Sequence, residues 1–169
     1  NTIAPLLLCR LMLPLLKASK EAMIINVGSA FGSIGHAGFA VYSSTKFGLR
    51  GFSEALRREL AGSSVKVGYL SPRATRTEMN SASVDALNDS LGNTTDSPQL
   101  VAAGIVRLLS SEGGDLYLGW PERFFVRLNG LLPALVDRAM RPRLAIIRKH
   151  AQPLSEDSRH EKISGATPA

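Results

Sequence analysis

Residues 23–46 decide the fold: Met23-Ile24-Ile25-Asn26-Val27-Gly28-Ser29, then small and flexible residues through Gly32, Gly35 and Gly38, then Tyr42-Ser43-Ser44-Thr45-Lys46. The first seven read as a short strand whose apolar run predicts burial on both faces. From Tyr42 onward the pattern changes period. Leu49, Phe52, Leu56 and Leu60 recur at spacings of three and four, which predicts a helix over 42–61 with Gly62 at its end.

Outward from this unit the alternation continues. Residues 1–19 read as a helix buried on most sides, 65–70 as a second strand broken by Ser71-Pro72, and the stretch to Asp96 as a polar loop with a short helix. Ser97-Pro98 starts a further helix, a capping side chain followed by the proline that a first turn tolerates, with Leu100, Val101, Ile105, Leu108 and Leu109 as its apolar face. Gly113-Gly114 ends it, and Leu116-Tyr117-Leu118 reads as a last strand. Helix and strand in turn build an α/β, Rossmann-like parallel sheet with flanking helices, whose ligands sit outside the carboxyl ends of the strands. Gly28-Ser29 and Ser71-Pro72 each stand at such an end.

The chain has 169 residues, 44% hydrophobic and 20% charged, the composition of a globular protein. It opens on Asn1 and runs at once into the apolar stretch 3–16, so the expectation is a fragment that begins inside a structural element and lacks the first strands of its sheet. Arg10 interrupts that stretch, which is shorter than the roughly 20 apolar residues of a membrane span. The single cysteine, Cys9, reads as a small core hydrophobe; no disulfide can form within the chain, which fits a reducing, cytoplasmic setting. His150 and His160 lie near no Cys or carboxylate cluster with ligand spacing, so no metal site is expected.

Tyr42 and Lys46, four apart, share one helix face about a turn apart. A tyrosine hydroxyl titrates near 10 in water, and a neighbouring cation lowers that value by favouring the ionised form. Tyr42 can then give a proton to a carbonyl oxygen or take one from an alcohol, while Ser29 holds the same oxygen. A pair at this spacing is also what an amphipathic helix with a snorkelling lysine shows by chance.

The surrounding pattern narrows the choice. Asn1 with Ala4-Pro5 opening a helix, Ile25-Asn26-Val27-Gly28-Ser29 on a strand, Tyr42-Ser43-Ser44-Thr45-Lys46-Phe47-Gly48 on the next helix, Phe52-Ser53-Glu54-Ala55-Leu56-Arg57 and Glu59-Leu60 behind it, and 67–72 on the following strand follow in order. In this the chain resembles the short-chain dehydrogenase/reductase family, over residues 1–80 or so. The resemblance implies an oxidoreductase that interconverts a carbonyl and an alcohol with NAD or NADP, catalytic positions at Ser29, Tyr42 and Lys46, and ribose binding by Tyr42 and Lys46. It also implies an ordering role for Asn1 next to the lysine, and cofactor contacts at Pro72 and Thr77.

Two departures stand out. Arg73 occupies the place where the family commonly has glycine, and no strand-to-helix G-x-G-x-x-G phosphate turn occurs in the chain. The choice between NAD and NADP is therefore not written here. Gly28, Gly32, Gly35 and Gly38 read as loop flexibility near the substrate, and His36 among them as an exposed loop histidine. Met79, Val84, Leu87 and Leu91, where the family keeps a mobile lid, either line an apolar pocket or pack one face of a short helix.

Residues 1–120 are thus read as the catalytic part, 121–150 as a basic amphipathic helical extension and 151–169 as a disordered polar tail. The net charge of +6 concentrates in the extension, where 121–150 hold seven basic residues against two acidic ones. Without a nucleic-acid module the basic excess does not point to nucleic acid. Residues 123–147 either cover the sheet, pair with another subunit of a homo-oligomer, or lie against an anionic membrane surface. The alternative to an enzyme is a non-catalytic scaffold that oligomerises or associates with a membrane.

Overall fold

A computed structural model describes residues 1–78, 80 and 82–150, the side chains of 82, 83 and 150 excepted; the tail read as disordered and the lid position Met79 lie outside the described residues. Helix α1 (Ile3–Ala18) leads into strand β1 (Ala22–Val27), a 3-10 turn (Ala30–Gly32), helix α2 (Ala40–Glu59) and strand β2 (Val65–Ser71). Then come α3 (Ala82–Ser90), α4 (Pro98–Leu109), β3 (Gly114–Tyr117), α5 (Glu122–Leu131), α6 (Pro133–Met140), a second 3-10 turn (Arg141–Arg143) and α7 (Leu144–His150).

The three strands form one parallel sheet in the order β1-β2-β3, with Ile24 opposite Val67 and Leu70 opposite Leu116. Parallel neighbours need a crossover, and α2 and α4 supply it in two strand–helix–strand units. Ser97 caps α4 as its sequence demands, its hydroxyl accepting from Leu100 N at 3.3 Å. Gly62, at φ +81°, turns the chain out of α2.

Cys9, Ile24, Leu56, Leu60, Val65 and Val67 form the core between α1, α2 and the sheet, with Leu13, Leu16 and Phe52 packed against it. A polar tie crosses the same layer, Asn26 Nδ2 donating to Ser53 Oγ at 2.9 Å, which itself donates to Leu49 O.

Two sequence expectations fail here for one reason. Among the described residues β1 is an edge strand, and only Ile24 and Asn26 of it are buried; the strand covered on both faces is the central β2. α1 likewise buries only Cys9, leaving Leu7, Leu8, Leu11 and Leu15 exposed. One stripe of the helix meets the sheet, and no element among the described residues covers the other.

The C-terminal extension is not one helix. Pro133 opens α6 and Pro142 lies in the turn before α7, because proline lacks the N–H that a continuing helix needs. Val126, Val136 and Ile147 are buried, so each helix has an inward side.

Candidate active site

The carboxyl ends of β1 and β2 are fastened to each other beyond their ladder. Gly28 N donates to Leu70 O at 2.7 Å and Ala30 N to Pro72 O at 2.9 Å, which fixes Ser29 between them. Pro72, a residue expected at the cofactor, is buried and serves the site through its carbonyl.

Ser29 caps the 3-10 turn, its Oγ accepting from Phe31 N at 3.2 Å. A serine hydroxyl has one proton to give and two lone pairs, so this bond leaves the O–H available for a substrate oxygen. Beneath it lies Tyr69, fully buried, whose hydroxyl is 3.4 Å from Ser29 N and 3.5 Å from Ser29 O. Burial pushes that phenol up to about 12, so it stands as a neutral donor and acceptor.

Tyr42 occupies the first turn of α2, its ring edge-on to Phe31 at 6.3 Å. One turn on, Lys46 sets its ammonium 5.7 Å from the centre of the Tyr42 ring and donates to Val27 O at 3.2 Å. The lysine therefore reaches the end of β1, two residues before Ser29. Its partial burial pulls the ammonium below the usual lysine range. With one of three N–H donors used, two remain for hydroxyl groups of a ligand.

Gly32 is explained by this packing rather than by flexibility. A Cβ there would stand 2.5 Å from the Tyr69 hydroxyl and 2.8 Å from Lys46 O, so the turn and α2 can approach only because the side chain is missing.

Asn1 is exposed, and among the described residues no hydrogen bond joins its side chain to Lys46. Its neighbour Thr2 is the one that reaches α2, through Thr2 Oγ1 to Thr45 O at 3.0 Å. Thr77 is exposed in an open groove with Arg76, Glu78 and Pro98, and pairs with Asn80. Ser29, Tyr42, Lys46 and Pro72 are thus gathered at one sheet edge, whereas Thr77 is tied into the following loop.

His36 corrects its sequence reading. It is 8% exposed, stacked on Phe31 at 4.6 Å and edge-on to Phe39, with Nδ1 2.8 Å from Ala37 O. The spacing of three aromatic rings at 31, 36 and 39 was the available signal. Burial lowers its pKa, and Arg143 acts in the same direction.

Arg73 is bonded to groups other than Ser29, Tyr42 and Lys46. Its guanidinium meets Asp96 Oδ1 through Nε at 2.7 Å and Nη2 at 2.6 Å, with Glu122 3.5 Å and Trp120 O 3.4 Å away. It therefore clasps the loop after β2 to the start of α4 and of α5. No group of three His, Cys, Asp or Glu side chains placed to hold a metal ion occurs among the described residues, and no helix among them is long and apolar enough to cross a membrane.

A family model described as short chain dehydrogenase matches residues 1–88. Over 79 residues the chain is 38% identical to 3-oxoacyl-[acyl-carrier-protein] reductase of Bos taurus, covering 47% of this chain and 33% of that protein. Over 116 residues it is 31% identical to carbonyl reductase family member 4 of Xenopus laevis, covering 66% of this chain and 48% of that one. The crystal structure of a short-chain dehydrogenase from Streptomyces avermitilis superposes with a TM-score of 0.63 at 26% identity, over 82% of this chain and 58% of that chain. The chain thus spans a third to a half of the length of these curated relatives.

Proposed function

The chain belongs to the short-chain dehydrogenase family, and from that premise we propose that residues 1–120 carry the proton-transfer half of an oxidoreductase interconverting a carbonyl and an alcohol with NAD or NADP. The carrying observation is Lys46, whose ammonium lies 5.7 Å from the Tyr42 ring while bonded to the carbonyl of Val27, beside Ser29.

The donor set fits the ribose end of a nicotinamide cofactor. Lys46 keeps two N–H donors and Tyr42 is half-buried, at the carboxyl ends of parallel strands where such ligands bind. When bound, nicotinamide supplies the hydride that the carbonyl carbon gains. Ser29 donates its hydroxyl to the carbonyl oxygen and holds it in place. Tyr42 gives that oxygen its phenolic proton, and the remaining phenolate is stabilised by the Lys46 ammonium. In the reverse direction each bond and proton retraces its path.

Two further partners belong to this reading. A second copy of the chain is supported by the exposed leucines of α1, and a membrane surface by the basic extension. On this reading the protein is cytoplasmic and meets the bilayer surface through residues 123–147.

Nicotinamide absorbance, followed with NADH and NADPH against a panel of ketones, aldehydes and alcohols in the full-length protein, tests the chemistry. Turnover that disappears in Lys46→Met is expected; equal turnover in that variant would remove the assignment.

A further inference from the structure

α5 and α6 each bury one valine, Val126 and Val136, toward the body of the protein. The positions that follow helical spacing elsewhere on each helix are neither buried nor simply polar. On α5, Phe124, Arg127 and Leu131 succeed one another at three and four, hence in one stripe, and all are exposed, Leu131 at 80%. On α6, Leu135 and Arg138 repeat the pairing at a spacing of three, and Leu132 is exposed at the joint between the helices. Trp120, 71% exposed, adds its ring 5.9 Å from Phe124.

Large apolar side chains interleaved with arginines suit neither bulk water nor a dry protein interior. They suit the boundary between lipid headgroups and acyl chains, where the rings and leucines enter and the guanidinium groups snorkel to phosphate. Charge points the same way. All seven basic residues of 121–149 are exposed, and none has an ion pair among the described residues, while one of the two acids nearby, Glu122, faces Arg73. Exposed leucines and aromatic rings between the cations favour lipid over nucleic acid.

The C-terminal extension reaches the surroundings of the candidate active site through α5 and α7. Asn129 Nδ2 donates to Ser33 O at 2.9 Å, in the loop that leaves Ser29. Ile147 is buried, and a Cβ on Gly38 would lie 2.9 Å from its Cγ2. α7 also packs on α3, the helix of the segment after β2. α5 therefore touches the loop after Ser29 through Asn129 and carries the apolar, basic stripe on its exposed side, while α7 closes on Gly38 from the same extension.

We propose that α5 and α6 seat the protein on an anionic membrane and that the substrate is a lipophilic carbonyl or alcohol drawn from that membrane, the second half resting on the oxidoreductase reading above. Flotation of the full-length protein with phosphatidylcholine vesicles, with or without phosphatidylglycerol, tests the seat. Binding is expected only with phosphatidylglycerol, reduced about tenfold or more in Arg127→Glu/Arg138→Glu and in Leu131→Asp/Leu135→Asp. Leu11→Asp on α1, with circular dichroism of every variant, controls for unspecific stickiness and unfolding. Equal binding to both vesicles, undiminished binding by folded seat variants, loss of binding in Leu11→Asp alone, or capture by a DNA duplex in place of vesicles would each overturn the seat.

Turnover of dodecanal in vesicles and of propanal in solution then tests the substrate class in the full-length protein. A raised KM for dodecanal only, in the seat variants, is expected, and equal effects on both aldehydes would overturn it. Turnover of neither aldehyde would count against the oxidoreductase reading instead, with the flotation result unaffected.

Discussion

Gly28 and Tyr69 meet with no room for a methyl group: a Cβ on Gly28 would fall 2.0 Å from the Tyr69 hydroxyl oxygen and 2.2 Å from the ring carbon that bears it. Ser29, the next residue, is placed by the same contact. Gly28→Ala is expected to destabilise the fold by about 1–3 kcal/mol, the usual cost of overpacking. Because ring carbon as well as oxygen is in the way, Tyr69→Phe will not relieve it, while Tyr69→Val will restore part of the loss. Urea midpoints of the two double variants measure this, and equal rescue by Phe and Val would contradict it.

Tyr69 also sets an alkaline limit. Its folded pKa, about 12, lies above the ordinary tyrosine value of 10.0, so the neutral phenol is favoured in the native state. That stability is whole below the unfolded value and is lost as pH rises from there toward the folded one. Tyr69→Phe removes a group that must ionise, and its thermal midpoint should fall less steeply than that of the parent in this window. Parallel curves would show that the hydroxyl is not the titrating group.

His36 works at the acid end. Its pKa is lowered from 6.5 by burial, so below that value the unfolded chain takes up a proton that the native state resists. Stability is present above 6.5 and declines as pH falls. The groups that face the ring are Phe31, Phe39, the Ala37 carbonyl and Arg143. His36→Phe should flatten the decline, as read from thermal midpoints across the acid range; an unchanged slope would assign it elsewhere.

Arg73 and Asp96 form a nearly dry ion pair, with side chains 15% and 2% exposed. Removing one partner of such a pair leaves a buried charge without compensation and costs about 3–5 kcal/mol. Arg73→Met should therefore be more damaging than the double variant Arg73→Met/Asp96→Leu, in which the nearly buried Asp96 carboxylate is no longer stranded and only the more exposed Glu122 loses its cation. A double variant as unstable as the sum of its single changes would mean that the two residues act independently.

The sheet was legible in the sequence because β2 is mostly apolar, Lys66 and the terminal Ser71 apart, and because Leu49, Phe52, Leu56 and Leu60 of α2 keep helical spacing. The Tyr42–Lys46 face followed from spacing alone, since four residues are close to one helical turn. What could not be read was which surfaces lie against each other. Arg73 looked like an unexplained charge because Asp96, its partner, is 23 residues away, and His36 looked exposed because Phe31 and Phe39 close on it only once the loop folds. Tyr69 left a faint trace: a buried hydroxyl in a strand needs a partner, and the partner is the backbone of Ser29. The helical extension divides at its prolines, and those breaks let Ile147 fold back to Gly38.

The central claim is that the Tyr42 hydroxyl moves the proton. Tyr42→Phe in the full-length protein removes that oxygen and little else, so circular dichroism should stay close to the parent, and cofactor binding, read from nicotinamide fluorescence, should weaken far less than turnover. Carbonyl reduction followed by nicotinamide absorbance should fall by about a hundredfold or more. A Tyr42→Phe variant that binds cofactor and reduces the carbonyl at the parent rate would contradict the account.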